Sequence, residues 1–263
     1  MDLQLNDKTA LVTGGTAGIG LAIAKAMASE GARVIITGRD QDKLDAAVAA
    51  ISASGASSIE GLLADAATAE GASTIAQAAP SVDILVNNLG IYESKAFEQI
   101  DDADWYKLFE VNVMSGVRLS RTYLPAMIER NWGRVIFIAS EAGLAIPSDM
   151  IHYGMTKTAQ LSVSRGLAQL TRGTNVTVNS VLPGPTRSEG IEAFLRSQAA
   201  DSSAPMKQIE SQFFATARSA SILQRMVEAE EVASLVTYLA SPRSSATNGA
   251  ALRAEGGLVN TIA

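Results

Sequence analysis

The fold is decided at Thr13-Gly14-Gly15-Thr16-Ala17-Gly18-Ile19-Gly20, the stretch TGGTAGIG. A short apolar run, residues 9–12, precedes it and an Ala-, Leu- and Ile-rich segment, residues 19–30, follows it, so the local order is strand, turn, helix. Glycines allow the backbone to approach a phosphate closely, and the N–H groups at the start of a helix bind it. The spacing, G-x-x-x-G-x-G, therefore predicts the phosphate-binding corner of a dinucleotide fold; the alternative is a glycine-rich turn that holds no ligand.

Outside this turn, short β-branched runs alternate with longer Ala- and Leu-rich segments, the pattern of βαβ units in a parallel sheet. The predicted strands are residues 8–13, 33–37, 58–63, 82–87, 134–139, 175–181 and 250–254. The predicted helices are residues 18–30, 41–54, 68–79, 101–130, 151–172 and 228–240. Asp101 to Asp104 should form an acidic start to the fourth helix, which Pro125 should bend or interrupt late in its course. The predicted fold class is α/β, a Rossmann-type doubly wound parallel sheet of about seven strands flanked by helices.

The composition argues against several classes of protein. Of the 263 residues, 47% are hydrophobic and 18% are charged, and no Pro/Ser-rich linker divides the chain, so residues 1–263 are predicted to form a single domain. The formal net charge is −6 and no basic patch is visible, which argues against a nucleic-acid partner. The chain has no cysteine, no visible signal peptide and no apolar run long enough to cross a bilayer. We expect a cytoplasmic protein with no membrane partner.

A second signal is the pair Tyr153 and Lys157, which stand four residues apart in a predicted helix. This spacing places both side chains on one face, a turn apart. An ammonium beside a phenol favours the phenolate and lowers the phenol's pKa, so the phenol could exchange a proton with an alcohol near neutral pH. A solvated pair on an ordinary surface helix is the alternative. His152 is the only histidine, and because one histidine cannot make a metal site, no metal is predicted.

Seven motifs, in order, resemble those of the short-chain dehydrogenase/reductase family. They are the TGGTAGIG turn, Asp65 in Leu-Leu-Ala-Asp-Ala, Asn87-Asn88-Leu89-Gly90, Asn112 in Glu-Val-Asn-Val, Ser140 after Val-Ile-Phe-Ile-Ala, the Tyr153/Lys157 helix and Pro183-Gly184. Ser140 precedes Tyr153 by 13 residues, the interval usual in this family. The resemblance covers nearly the whole chain. It implies an oxidoreductase that transfers a hydride between a nicotinamide cofactor and a carbonyl or secondary alcohol.

The resemblance implies four catalytic residues. Tyr153 is expected to be the general acid in reduction and the base in oxidation, while Lys157 lowers its pKa and hydrogen-bonds the nicotinamide ribose. Ser140 is expected to hold the substrate oxygen where charge develops. Asn112 is expected to anchor a water that links Lys157 to solvent. The alternatives are a strand-end cap for Ser140 and a polar helix residue bonded to backbone for Asn112.

The resemblance also implies a cofactor-binding set, which runs from the glycine turn to the segment after the sixth strand. Its members are Gly14, Thr16, Gly18, Ile19, Gly20, Arg39, Asp65, Asn88, Gly90, Tyr153, Lys157, Pro183, Gly184 and Thr186. Ligands of open parallel sheets bind beyond the carboxyl ends of the strands, where strand order reverses, so cofactor and chemistry are expected to meet in one cleft. Asp65 is expected to bond the adenine amino group; the alternative is a simple turn aspartate.

The residues after the second strand bear on the choice between NADP and NAD. Gly38 stands where an acid would bind the adenosine ribose 2′-OH of NAD, and Arg39 follows it. A guanidinium suits a 2′-phosphate, so NADP (NADPH) is favoured, with NAD (NADH) as the alternative. Two residues complicate this assignment. Ala17 stands where many NADP-dependent members carry a second basic residue, and Asp40 is close by.

Residues 184–226, called the lid segment below, form a long insertion before the last helix. The length and the family resemblance favour a helical lid that covers the substrate; an ordinary pair of surface helices is the alternative. The segment has apolar residues at Phe194, Leu195, Met206, Ile209, Phe213 and Phe214. The aromatic residues among them are expected to line a largely apolar pocket with Ile146, Met150 and Ile151, and Tyr92 is expected to contact the substrate there. Glu93, Glu141 and Asp149 are expected to add polar or negative character near the rim of this pocket.

The sequence therefore predicts an NADP-preferring oxidoreductase for a medium-sized ketone or hydroxy compound. A β-ketoacyl thioester reductase carries the same motifs, but its acidic carrier protein calls for a basic docking surface, and the net charge of −6 counts against one. A nucleotide-sensing scaffold without turnover is a third alternative, although Ser140, Tyr153 and Lys157 are all present. The helices at 101–130 and 151–172 carry apolar residues on more than one face, and family members pair through them. We expect a homotetramer, and a dimer as the next alternative.

Overall fold

The computed structural model describes residues 2–53, 58–199 and 201–262. Its centre is a seven-stranded parallel sheet in the order β3-β2-β1-β4-β5-β6-β7. The strands are β1 Thr9–Val12, β2 Arg33–Gly38, β3 Ile59–Leu63, β4 Ile84–Asn87, β5 Gly133–Ile138, β6 Val176–Pro183 and β7 Ala251–Ala254. Every predicted strand is found, so the predicted sheet is confirmed.

Helices cover both faces of this sheet. They are α1 Gly18–Ser29, α2 Gln41–Ser52, α3 Ala69–Ala78, α4 Asp102–Phe109, α5 Ser115–Glu129, α6 Ile151–Leu170, α7 Glu189–Gln198, α8 Met206–Ala215 and α9 Ala229–Ala240. Successive side chains of a strand point to opposite faces. Ala10 and Val12 enter a core shared with α1, α2 and α9, whereas Leu11 enters a second core with α3, α5 and α6. The sheet is therefore doubly wound, as predicted; residue 54, the predicted end of the second helix, lies outside the described residues.

The strand order reverses between β1 and β4. The chain builds outward from β1 through β2 to β3, then returns to the other side of β1 and continues to β7. Val12 of β1 is accordingly paired with Ile36 of β2 on one side and with Val86 of β4 on the other. Because the connections after β1 and β4 run to opposite faces of the sheet, they open a crevice at its carboxyl edge, where ligands of such sheets bind.

The helix predicted at 101–130 is more complex than expected. Its acidic start is confirmed, since the Asp101 carboxylate accepts a hydrogen bond from Asp104 N at 2.9 Å in a capping box. A π-helical turn, Glu110–Met114, separates α4 from α5. Pro125 does not interrupt α5, which continues to Glu129. Proline leaves the carbonyl four residues earlier without its helical partner, and here that carbonyl belongs to Arg121, which is solvent-exposed and open to water.

The lid segment forms the predicted helical unit, made of α7 and α8. Its buried side chains form a small core of their own, separate from the two sheet cores: Leu195, Ile209, Phe214 and Met226. At the base of the segment, Arg187 Nε lies 3.1 Å from Glu228 and its Nη2 lies 3.0 Å from Glu210. Residue 200 of the lid segment lies outside the described residues. Over the ranges that the structure describes, no helix has both the length and the apolar character needed to cross a membrane.

Candidate active site

The turn after β1 has the geometry of an anion-binding corner. Gly14 and Gly18 have φ values of +62° and +52°, in the left-handed region that favours glycine. A Cβ atom at Gly20 would lie 2.3 Å from Gly14 O, so only glycine fits where α1 passes the turn. The N-cap residue of α1, Ala17, makes no side-chain hydrogen bond to the first helical turn. The site therefore combines a close backbone approach with a helix start that no side chain caps, which fits a pyrophosphate.

Two side chains join this turn to the segment after β4. Asn88 Nδ2 donates hydrogen bonds to the carbonyls of Thr13 and Gly14, at 2.8 and 3.1 Å. In return, Thr13 Oγ1 accepts hydrogen bonds from the backbone N–H groups of Asn88 and Leu89, at 3.0 and 3.1 Å. The two sides of the crevice are thus fixed to each other. Asn88 belongs to the predicted cofactor-binding set, whereas Thr13 was assigned no role beyond its place in the turn, because its only local signal is a polar residue at the end of a buried strand.

We expect Gly20→Ala to disrupt this corner. The new Cβ would press on Gly14 O and on Asn88 Nδ2, and overpacking of this kind costs about 1–3 kcal/mol. Urea denaturation should show a lower free energy of unfolding, and fluorescence titration should show weaker NADPH binding. Gly166→Ala is the matched control, because a Cβ at this position in α6 would meet nothing within 4 Å. It should leave NADPH binding intact; equal behaviour of the two variants would contradict the argument.

The residues predicted to meet the adenosine lie beside this corner. Thr16, Gly38, Arg39 and Asp65 line one depression at the carboxyl ends of β1 to β3. A Cβ at Gly38 would lie 2.6 Å from the Thr16 methyl group, so an acidic side chain does not fit there. Arg39 is exposed. Asp65 Oδ1 accepts a hydrogen bond from Ala67 N at 3.0 Å, which is the turn role given above as the alternative.

Ser140, Tyr153 and Lys157 lie together at the next part of the same edge. Ser140 follows β5, its Oγ accepts a hydrogen bond from Ala142 N at 3.1 Å, and its hydroxyl donates to the Glu141 carboxylate. Ser140 therefore has the capping role that was its alternative, in addition to its place beside Tyr153. Lys157 is buried in α6, where its Nζ donates to Ile138 O at 3.0 Å and lies 5.6 Å from the centre of the Tyr153 ring.

The protonation of this pair differs from the sequence-based expectation. Burial raises the pKa of Tyr153, and the charge of Glu141 raises it further. Burial also lowers the pKa of Lys157 to about 7. The expected lowering of the Tyr153 pKa is absent because loss of hydration outweighs the Ser140 hydrogen bond and the Arg218 charge, which act to lower it. Tyr153 therefore keeps its proton at ordinary pH, and Lys157 titrates near neutrality.

Asn112 lies behind the cleft, fully buried in the π-helical turn. Its Oδ1 accepts from Ile91 N at 2.8 Å, and its Nδ2 donates to Ile91 O and to Thr156 Oγ1, both at 2.9 Å. The side chain thus joins the segment after β4 to α6, which is the backbone-bonding role named as its alternative. A Cβ at Gly90 would lie 3.3 Å from Lys157 Nζ and 3.5 Å from Asn112 Oδ1, so both polar atoms lie close to Gly90. The water-anchoring role stays a prediction.

Aromatic rings form the substrate side of the cleft. The Tyr92 ring meets Tyr153 and Phe194 edge to face, with centroids 6.2 and 5.7 Å apart. The lid segment contributes Ile191, Phe194 and Phe213, and Met150 completes the apolar wall. Ile146 does not belong to this wall as expected: its side chain is 51% exposed. Ile151 is also absent from it. The wall of the cleft is therefore largely apolar, as predicted, but made by a smaller set of residues.

One charged pair interrupts this apolar wall. Glu141 is buried, with 5% of its surface exposed, and does not lie on the rim as expected. Its Oε1 is 3.7 Å from Nε of Arg218, a lid-segment residue that was not predicted to belong to the site. Burial raises the pKa of Glu141, while the Ser140 hydrogen bond and the Arg218 charge oppose that rise. A contact between residues so far apart in the chain leaves no local signal.

The structure brings the predicted site residues to one edge of the sheet. Those lining the main cleft are Gly14, Gly18, Ile19, Gly20, Asn88, Gly90, Ser140, Tyr153, Lys157, Pro183, Gly184 and Thr186. Thr16, Arg39 and Asp65 line the adjoining depression, which shares Gly14 and Gly90 with the cleft. Asn112 alone lies behind both. The arrangement can hold an extended dinucleotide along the sheet edge and a substrate between Tyr153 and the lid segment.

Comparison with known proteins agrees with this arrangement. Residues 8–199 match the family model described as short chain dehydrogenase. The chain is 51% identical to the uncharacterized oxidoreductase YvaG of Bacillus subtilis, covering 100% of both chains, and 32% identical to the D-beta-hydroxybutyrate dehydrogenase of Cupriavidus necator, covering 97% of this chain and 99% of that one. Its fold matches the L-sorbose reductase of Gluconobacter frateurii, complexed with NADPH and L-sorbose, with a TM-score of 0.92, 28% identity and 100% coverage of both chains.

Proposed function

Because this chain belongs to the short-chain dehydrogenase/reductase family and is an NAD(P)-dependent oxidoreductase, we propose that it interconverts a ketone and its secondary alcohol with NADP(H). The observation that carries this proposal is the cluster of Ser140, Tyr153 and Lys157 in the cleft that also contains the glycine turn. An L-sorbose reductase and a D-beta-hydroxybutyrate dehydrogenase among the similar proteins support this reaction class.

In this mechanism the bound nicotinamide supplies the hydride in reduction and accepts it in oxidation. Tyr153, kept protonated by burial, donates its proton to the substrate oxygen as negative charge develops there, and takes it back in oxidation. Ser140 Oγ stands beside Tyr153 and positions the same oxygen, to which its hydroxyl proton turns from Glu141 when the substrate binds. Lys157, with a pKa of about 7, can carry a proton or release it near neutrality, which suits a group that restores the Tyr153 proton. Asn112 holds α6, and with it both residues, against the segment after β4.

The preference for NADP within this proposal is supported by three residues. Gly38 has no room for the acidic side chain that would bind a ribose 2′-OH. Asp40, the acid that complicated the sequence-based assignment, uses its carboxylate to cap α2, accepting from Lys43 N at 3.1 Å. Arg39 lies between them, exposed at the mouth of the depression. The position of its guanidinium suits a 2′-phosphate, whose charge a bidentate donor matches.

Arg39→Ala should weaken NADPH binding by about 10- to 100-fold, the effect of a lost charge-assisted hydrogen bond. NADH lacks the 2′-phosphate, so its affinity should change little. Fluorescence titration with each cofactor measures both effects. Arg33→Ala removes the same charge from the other end of β2, where Arg33 pairs with Glu60 at 2.8 Å, and serves as control. A wild-type preference for NADH would contradict the proposed cofactor.

Steady-state oxidation of NADPH with a panel of ketones tests the reaction itself. The panel should include β-ketoacyl thioesters of acyl-carrier protein, because a reductase of that class shares the same motifs. Turnover of free ketones with higher kcat/KM than thioesters would support the proposal. Turnover confined to the thioesters would replace it with the alternative. Binding of neither NADPH nor NADH would contradict both.

We further propose that the protein acts as a homotetramer, with a dimer as the alternative, in the cytoplasm. Large apolar side chains are exposed on α4 and just before it, at Phe97, Tyr106 and Phe109. Aromatic side chains are enriched at contacts between protein subunits. Sedimentation velocity that shows only monomers would contradict the proposed association. Export of the protein in its native host would contradict the proposed cytoplasmic location.

A further inference from the structure

The pair Glu141 and Arg218 is the one charged pair among the described residues that line the substrate side of the cleft. Glu141 directly follows Ser140, and its second carboxylate oxygen accepts the Ser140 hydroxyl proton in a hydrogen bond. Arg218 comes from the lid segment, and its guanidinium lies 5.4 Å from the centre of the Phe213 ring. The two charges therefore join the end of β5 to the lid segment at the place where a substrate must lie.

Arg218 has a hydrogen-bond donor without an acceptor on the substrate side of the cleft. Its Nε is buried and has no hydrogen-bond partner among the described residues. The distance of 3.7 Å to Glu141 Oε1 allows ionic attraction but exceeds a hydrogen bond. Arg218 Nη1 donates to Ala217 O at 2.9 Å. Because a buried donor without an acceptor is costly, a donor on a cleft-lining residue points to a ligand group that completes it.

The hydrogen-bonding capacity of Arg218 and Glu141 determines which kind of ligand group can bind to them. A group that sits beside the pair, within hydrogen-bond reach of both Arg218 Nε and Glu141 Oε1, must accept a hydrogen bond from the first and donate one to the second, and a hydroxyl does both. A carboxylate only accepts, and it would bring a second negative charge against Glu141. A methyl group does neither and would leave both polar atoms unpaired.

The position of the pair sets the position of that hydroxyl. Ser140 is the residue expected to hold the substrate carbonyl, and Glu141 is separated from its Oγ by a single hydrogen bond. We propose that Arg218 and Glu141 bind a hydroxyl group on the carbon next to the reacting carbonyl, so that the substrate is a hydroxyketone and the product of its reduction a vicinal diol. This assignment rests on the proposed function and narrows its substrate class.

Hydroxyacetone and butanone test this assignment, because they differ only by a hydroxyl in place of a methyl group. Acetoacetate adds a carboxylate in the corresponding region. We expect kcat/KM with NADPH to be about 10- to 100-fold higher for hydroxyacetone than for butanone, with acetoacetate also below hydroxyacetone. Ligand-observed NMR titrations of the free and NADP⁺-loaded protein should give the same order of affinities without any turnover.

Arg218→Met and Arg218→Lys separate the donor from the charge. Both remove Nε, so both should reduce the preference for hydroxyacetone over butanone by at least about tenfold, although Lys keeps the charge. Arg196→Met is the matched control, since Arg196 is an exposed arginine of the same segment that bonds to the carbonyls of Ser202 and Ala204. Thermal denaturation checks that each variant folds, and Arg218→Lys is used alone if Arg218→Met does not.

The outcomes separate this assignment from the proposed function. Equal kcat/KM for hydroxyacetone and butanone, or a preference that survives both Arg218 variants, would overturn the hydroxyl assignment while leaving the reductase activity intact. Tighter binding of acetoacetate that depends on Arg218 would replace the hydroxyl by a carboxylate. A third outcome combines selective binding of hydroxyacetone, loss of that binding in Arg218→Lys, and no NADPH oxidation with any ketone. This outcome would support the hydroxyl assignment and contradict the proposed function.

Discussion

Tyr153→Phe is expected to reduce kcat by about 10²- to 10⁴-fold, the usual contribution of a positioned general acid. The phenol oxygen is the group proposed to exchange a proton with the substrate, and Phe keeps the ring and its edge-to-face contact with Tyr92. NADPH affinity should fall little, because the glycine turn and Arg39 are untouched. Steady-state kinetics and fluorescence titration of the same preparation measure the two effects.

Tyr238→Phe provides the control, since it removes a phenol oxygen from the exposed side of α9. It should leave both kcat and NADPH affinity near the wild-type values. Near wild-type turnover by Tyr153→Phe would mean that another group supplies the proton. A loss of NADPH binding as large as the loss of kcat would show a cofactor role and not an acid-base role.

Lys157→Met is expected to reduce kcat/KM by about 100-fold or more and also to change how stability depends on pH. Burial lowers the pKa of Lys157 from 10.5 to about 7. Between these two values the unfolded chain binds a proton that the folded chain does not, so the free energy of unfolding rises with pH across this window. Below pH 7 both states bind the proton, and the folded state bears the full cost of the buried charge.

Urea denaturation of the cofactor-free protein measures this dependence. Between pH 7 and pH 9, the free energy of unfolding should rise by about 2 kcal/mol more in the wild type than in Lys157→Met. Lys207→Met, at an exposed position on α8, should keep the wild-type dependence. Parallel curves for wild type and Lys157→Met would show that Lys157 remains charged in the folded protein throughout this range.

The sheet and its ligand edge could be predicted because their signals are local. Strands covered on both faces are apolar throughout, as in Val34–Ile36, and such runs stand out against Ala-rich amphipathic helices. The signal of the glycine turn is also local, because Gly14 and Gly18 have positive φ values and a Cβ atom at Gly20 would collide with Gly14 O. The order of strand ends then places Ser140 and the Tyr153 helix at the same edge.

The features that escaped prediction depend on contacts between distant parts of the chain. The spacing of Tyr153 and Lys157 gave their proximity, but their pKa values are set by burial, which only the assembled core determines. Glu141 was predicted to lie on the rim of the cleft because nothing in the local sequence indicates its contact with Arg218 of the lid segment. The π-helical turn Glu110–Met114 adds a single residue to the helical repeat, and one residue out of phase is too weak a signal for periodicity to reveal.

The separate core of the lid segment has a consequence for how such an enzyme can acquire new substrates. Leu195, Ile209, Phe214 and Met226 pack on one another apart from the two sheet cores. Substitutions around them can reshape one half of the cleft while the dinucleotide corner and its supporting strands keep their packing. Selection can therefore retune substrate choice almost independently of cofactor choice, and a library directed at α7 and α8 should yield altered specificity at a small cost in folding.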